Sequence, residues 1–298
     1  MHTLDLLLHT VWLRPYVFVF LAVFLAFAVP AWGWRRTLVY TVAGYALALG
    51  AEHASSTTHG WFPFGHYEYV SEPTLDKELW VAGVPFMDSL SFVFLSFAGL
   101  QMARLATEPL TRGPRGWWDL RWADPGRPIG WRTWALGGFL TMAMDVVIDP
   151  VALQGHRWFL GDIYNYPSGG QHFGVPLTNY GGWLLLALGI IGFLIVVDRW
   201  VMRGWLRRLA GQKGWGEWRG YPADALVGTG LFVGILVFNL AITFAIGETV
   251  MGLTGCAWSL IIVVPILTRA AMAVRNPTAA VGVASESSDC RVTEIPPA

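Results

Sequence analysis

The sequence predicts an all-α, polytopic membrane helix bundle of about seven transmembrane helices, with the N-terminus outside and the C-terminus cytoplasmic. Three observations carry this. Only 13% of the 298 residues are charged while 54% are hydrophobic, too little charge for a soluble surface. Several apolar runs reach the ~20 residues that cross a bilayer core. The basic residues fall on alternate connections between those runs. A backbone in lipid must satisfy its own polar groups, and no alternating strands of about ten residues, the mark of a barrel, are present.

The runs, in order, are about Pro15–Trp34, Thr37–Ser55, Trp80–Met102, Trp131–Val151, Tyr180–Val197, Ala223–Ile246 and Gly255–Met272. The first follows Met1–Leu13, which has no Lys or Arg, so it is read as an uncleaved helix and not as a signal peptide. Residues 1–275 are expected to form a single transmembrane domain. The polar segment 276–298, with its Pro and Ser, is read as a disordered cytoplasmic tail.

Orientation follows from charge. Of the 20 Lys and Arg residues, all but Arg14, Lys77 and Arg157 map to one side, which the positive-inside rule makes cytoplasmic. The basic loops also carry Trp117, Trp118, Trp122, Trp205, Trp215 and Trp218, read as interfacial anchors. The net charge of zero suggests no nucleic-acid partner. Cys256 and Cys290 map to different depths and are not expected to pair. Lys77 and Lys213 both lie in loops, so no helix offers a Schiff-base amine and a retinal protein is excluded.

The outer connections are acidic, aromatic and rich in Gly and Pro, a composition suited to structured, cavity-lining loops. They contain a faint repeat. Tyr67-Glu68-Tyr69 precedes Gly83-Val84-Pro85 with Asp88 beyond it, and Tyr164-Asn165-Tyr166 precedes Gly174-Val175-Pro176 with Asn179 beyond it. Both copies lead into a descending helix with Pro in its first turn, which implies a parallel repeat about the membrane normal.

Carboxylates inside membrane helices are expensive and mark function. Here they are Glu52, Asp88, Asp145, Asp149 and Glu248, all in the outer half. Asp145 and Asp149 are four apart on one helix face, so they should titrate as a pair that keeps one proton, as a general acid requires. Ordinary helix capping or pairing with His would explain the same residues, and Asp149 before Pro150 could simply end its helix. All 7 His residues map outside, but no His-x-x-His-His or Glu-x-x-His box is present, so neither a metal nor another cofactor is assigned.

Two ordered blocks carry a resemblance. Glu52, Gly60-Trp61-Phe62-Pro63-Phe64-Gly65-His66-Tyr67-Glu68-Tyr69 and Gly83-Val84-Pro85 resemble the first signature of the CruF-type carotenoid hydratases. Asp145-Val146-Val147-Ile148-Asp149-Pro150 and Phe173-Gly174-Val175-Pro176-Leu177-Thr178-Asn179-Tyr180-Gly181-Gly182-Trp183 resemble the second. The family acts on acyclic lycopene-type ends and includes the haloarchaeal bisanhydrobacterioruberin hydratases. This chain departs from its pattern by carrying Asp88 and Phe92 after the first Gly-Val-Pro.

The resemblance implies a multi-pass cell-membrane hydro-lyase without a redox cofactor. Its partners would be a carotenoid drawn from the bilayer, membrane lipids and other carotenoid-biosynthesis enzymes. An acid would protonate the terminal double bond, and water would capture the tertiary cation. Aromatic faces stabilise such a cation by roughly 0.5–2 kcal/mol each. The expected catalytic residues are Asp145 and Asp149 as proton donor, Glu52 with His53 to position water, and Asp88. Asn179 and Asp162 would hold that water. Phe62, Phe64, Tyr67, Tyr69, Tyr164, Tyr166, Asn179 and Trp183 would bind the substrate. Rival readings are another carotenoid-modifying enzyme, a non-catalytic carotenoid-binding or scaffold protein, a metal-dependent lipid hydrolase, and a transporter.

Overall fold

The computed structural model describes residues 3–57, 63–71, 74–202 and 220–275. Phe62, the Trp residues at 205, 215 and 218, Cys290 and the 276–298 tail therefore lie outside the described residues.

The chain is an all-α polytopic bundle. A short helix α1 (Thr3–Leu13) breaks at Arg14, and Pro15 then opens α2 (Pro15–Trp32), where its missing N–H costs nothing. Gly33, at φ 82°, lets the chain turn within one residue into α3 (Trp34–Thr57). The central helix is α4 (Phe86–Thr107), followed by α5 (Trp131–Ala152), α6 (Leu177–Met202), α7 (Asp224–Ala245) and α8 (Thr249–Arg275). Among the described residues, six of these are long and apolar enough to cross a membrane. The exception of spanning length is α3, whose 24 residues include Arg35, Arg36, Glu52 and many small polar side chains.

Every apolar run predicted from sequence overlaps one of these helices, but one boundary moves substantially. The run from Trp80 does not begin as helix. Trp80–Val81 (β2) pairs with Val84–Pro85 (β3) in a tight hairpin, and α4 starts only at Phe86. Ala82 and Gly83 at its tip both take positive φ, 50° and 79°, which a helix cannot contain. At the far end α8 starts at Thr249, earlier than predicted, after a turn at Gly247 (φ 83°).

The bundle is layered around α4, whose apolar window is 83% buried against 22% for α2 and 17% for α8. Small residues allow a close crossing with α5. A Cβ on Gly99 would stand 2.2 Å from Thr141 Oγ1 and 2.8 Å from the Gly137 carbonyl. In a bilayer, the exposed apolar side chains of α2, α6 and α8 would meet lipid.

At the end of α4 away from Asp88, Leu110–Gly113 (β4) and Gly116–Trp122 (β5) form a hairpin. Trp117 and Trp118 on it are exposed, as interfacial anchors would be. Trp122 is not: it is buried beneath the Arg104 guanidinium, 4.5 Å from the ring centroid. Its reading as an anchor is corrected, because a cation–π partner on α4 claims its face.

Candidate active site

The carboxylates gather at the end of the bundle where α3 and α5 finish and α4 and α6 begin. Asp145 and Asp149 are 1% and 3% exposed on α5, and Glu52 is 3% exposed on α3. Asp88 sits in the first turn of α4.

Two short strands assemble the site. Glu68–Tyr69 (β1) pairs antiparallel with Tyr164–Asn165 (β6), in the register Glu68↔Asn165 and Tyr69↔Tyr164. Side chains alternate along a strand, so Tyr67, Tyr69, Tyr164 and Tyr166 share the inward face while Glu68 points out. Their rings meet edge to face, with Tyr67 and Tyr69 centroids 5.2 Å apart and Tyr164 and Tyr166 centroids 5.8 Å apart. The two Tyr-x-Tyr motifs of the sequence repeat thus pair with each other.

Each phenol finds an acceptor. The Tyr166 hydroxyl donates to Asp149 Oδ2 at 2.7 Å, and Tyr164 donates to Asp149 Oδ1. The Tyr69 hydroxyl donates to Asp88 Oδ2 at 2.8 Å, and Tyr67 donates to the Glu52 carbonyl at 3.3 Å. Burial and the neighbouring carboxylates push all four phenols well above their ordinary range, so they remain donors. The Asn179 amide of α6 bridges the α5 pair, donating to Asp145 Oδ2 and Asp149 Oδ2 at 2.8 Å each. Glu52 accepts the Ser89 hydroxyl of α4.

Two cavities meet here. A small polar chamber is lined by Glu52, Asp88, Asp149, Asn179 and the four tyrosines, together with Phe64, Phe92 and Trp183. A larger cavity runs from it toward α2 and α7, and Asp145 lies on its wall. Asp88, Phe92, Tyr164 and Trp183 line both, so they form the boundary. Phe92 and Trp183 stack there with centroids 4.1 Å apart. Gly182 explains how Phe64 reaches α6: a Cβ at that position would stand 2.4 Å from the Phe64 ring.

The structure therefore brings together Glu52, Asp88, Asp145, Asp149, Phe64, Tyr67, Tyr69, Tyr164, Tyr166, Asn179 and Trp183. It does not bring in His53, which is exposed and turns its Nδ1 to the Ala82 carbonyl at 2.8 Å. One residue along a helix rotates a side chain by roughly 100°, which carries His53 off the face of Glu52. Asp162 is also excluded, being exposed and 3.3 Å from His156. Glu248 pairs with Arg157 away from the chamber. Among the described residues, no group of three or more His, Cys, Asp and Glu is placed to hold a metal ion.

Ser89 and Phe92 were missed as site residues: nothing distinguishes Ser89 from other α4 positions, and Phe92 stood out only as a departure from the family pattern. The buried pair of Arg14 and Glu78, 3.1 Å apart, had a signal. Arg14 is one of only three cations predicted on the outer side, and such a cation beside an apolar run calls for a partner.

Residues 13–257 match the family described as carotenoid biosynthesis protein. The chain belongs to that family. No curated protein and no solved structure matches it. Membership makes a role in carotenoid biosynthesis the context for this buried acidic chamber in a multi-pass membrane protein.

Proposed function

We propose that the protein is a carotenoid hydratase that adds water across the terminal carbon–carbon double bond of an acyclic end group. The observation that carries this reading is the division of the α5 pair. Asp145 faces the largely apolar cavity, where a polyene end would lie, while Asp149 faces the polar chamber, where water would collect.

Asp145, holding the proton of the pair, donates it to the less substituted alkene carbon. A C–H bond forms and the neighbouring carbon is left as a tertiary cation. Phe92, Trp183 and Tyr164 line the boundary where that cation would form, and their rings would stabilise it. A water in the chamber, oriented by Glu52 and Asp149, attacks the cation, and Asp149 takes the proton released. The proton returns from Asp149 to Asp145, so the pair begins and ends with one proton and no oxidant or reductant is consumed. Three donors on Asp149, from Tyr164, Tyr166 and Asn179, suit it to carry the negative charge while Asp145 holds the proton.

Expression in a lycopene-producing host, with mass measurement of the pigments, tests the reading. The expected product is heavier than lycopene by one water per reacted end. Unaltered lycopene and other acyclic carotenoids in a host holding folded protein would overturn it. A carotenoid-binding or scaffold role would instead leave pigment output unchanged when Asp145 is replaced by Asn.

A further inference from the structure

The cavity beyond the acids has a depth that can be read from the helices around it. Along α4 it extends from Met87 to Leu95, about 12 Å at ~1.5 Å of rise per residue. Phe94 and Leu95 of α4 and Ile235 of α7, all buried, line its deep part. A carotenoid polyene is comparable in length to the ~30 Å hydrocarbon core of a bilayer. The cavity can therefore hold only a fraction of such a molecule.

Its chemistry suits a hydrocarbon. Two polar side chains on its wall donate within their own helices: Ser91 to the Met87 carbonyl at 2.8 Å, and the Asn239 amide to the Ile235 carbonyl at 2.9 Å. Its carboxyl groups are Asp88, at the boundary with the chamber, and Asp145, on its own wall.

The side toward α2 and α7 is closed by rings. Tyr16 of α2 stacks on Phe238 of α7 with centroids 5.2 Å apart, and Phe20 meets the same ring edge-on at 5.7 Å. Phe159 packs on Tyr16 at 5.7 Å and is 52% exposed, so this seam reaches the outside of the bundle. Rings in contact through dispersion can part without breaking buried hydrogen bonds.

We propose that this cavity is an end-group pocket. It takes only the terminal segment of an acyclic isoprenoid polyene, and the remainder of the chain passes out through the α2–α7 aromatic seam into the bilayer. The protein then reads the end of its substrate and is blind to its length. The two ends of a symmetrical polyene can be presented one after the other. This rests on the hydratase reading for the substrate class but concerns binding, which can be measured without turnover.

The full chain in phosphatidylcholine vesicles is titrated with acyclic polyenes of thirty and forty carbons that share one end group, reading tryptophan quenching and water addition on the same samples. Affinities should agree within about threefold, and a polyene cyclised at both ends should bind at least about tenfold more weakly. Leu95→Trp, which fills the deep end, should weaken both acyclic ligands by about tenfold or more. Ile235→Phe is the milder second variant, and thermal melting identifies whichever is folded. A tenfold preference for one length, or unchanged binding in a folded filled-pocket variant, overturns the proposal. Length-blind binding without water addition keeps the pocket and removes the hydration reading. Water addition confined to one length does the reverse.

Discussion

The two halves of the chamber are built on one frame and furnished differently. In the α3–α4 half, Glu52 meets Ser89 and Asp88 meets Tyr69. In the α5–α6 half, Asp149 accepts Tyr164, Tyr166 and Asn179, and the same Asn179 amide also holds Asp145. The frame is shared down to spacing: Tyr67 lies 15 residues after Glu52, and Tyr164 lies 15 after Asp149. Each half brings a carboxylate at the end of one helix and an Asp or Asn at the start of the next. A local two-fold arrangement, visible in the β1–β6 register, thus supports unequal chemistry. On the proposed hydratase reading, the half rich in donors would stabilise a charge change without bulk water, and the other would help position the nucleophile.

Substitutions can break that asymmetry. The largest effect is expected for Asp145→Asn, which removes the proposed proton donor and should lower water addition by roughly a thousandfold, within the range of general-acid contributions. Pigment mass per amount of folded protein measures it. Next comes Asn179→Ala, which unties the pair. Loss of hydrogen bonds to a charged group at ~1.5–3 kcal/mol implies a drop of about ten- to a hundredfold.

Paired tyrosine variants sharpen the contrast between halves. Tyr166→Phe should slow the reaction by about tenfold or more, and Tyr69→Phe by only a few fold, because the charge change falls on Asp149. Equal effects would erase the division of labour.

A smaller effect, read as stability, concerns Gly182. Gly182→Ala places a methyl against Phe64 and should cost about 1–3 kcal/mol. Gly181→Ala, with nothing within 4 Å of the added Cβ, should stay within about 0.5 kcal/mol. Melting of the two proteins in the same detergent compares them. The smallest effect is expected for His53→Ala, whose rate should remain within about twofold because the ring faces outward.

The helices were legible because each buried or lipid-facing span needs about 20 apolar residues, and that length is visible in composition. The chamber was legible because carboxylates are rare in such spans. Asp145 and Asp149 advertise a shared face by being four apart. Where the reading failed, the deciding contact was nonlocal or lay in a turn. The Ala82-Gly83 hairpin took residues from the start of a predicted helix. Glu248 was drawn to Arg157, and Trp122 to Arg104, by partners far along the chain. The repeat was visible as two Tyr-x-Tyr motifs, but not that they would pair with each other. Phe92 gained its place from the Trp183 ring of another helix, which no local pattern encodes.

On the proposed reading, proton transfer from Asp145 followed by water capture would leave a mark in the product. Vesicles carrying the full chain or its Asp145→Asn variant would be given an acyclic polyene in deuterated, heavy-oxygen water, and the pigments analysed by mass spectrometry. The expected product of the unaltered protein carries one deuterium and one heavy oxygen on adjacent carbons, with essentially none formed by the folded variant. Labelled product from Asp145→Asn at the unaltered rate would contradict the assignment of Asp145 as the acid.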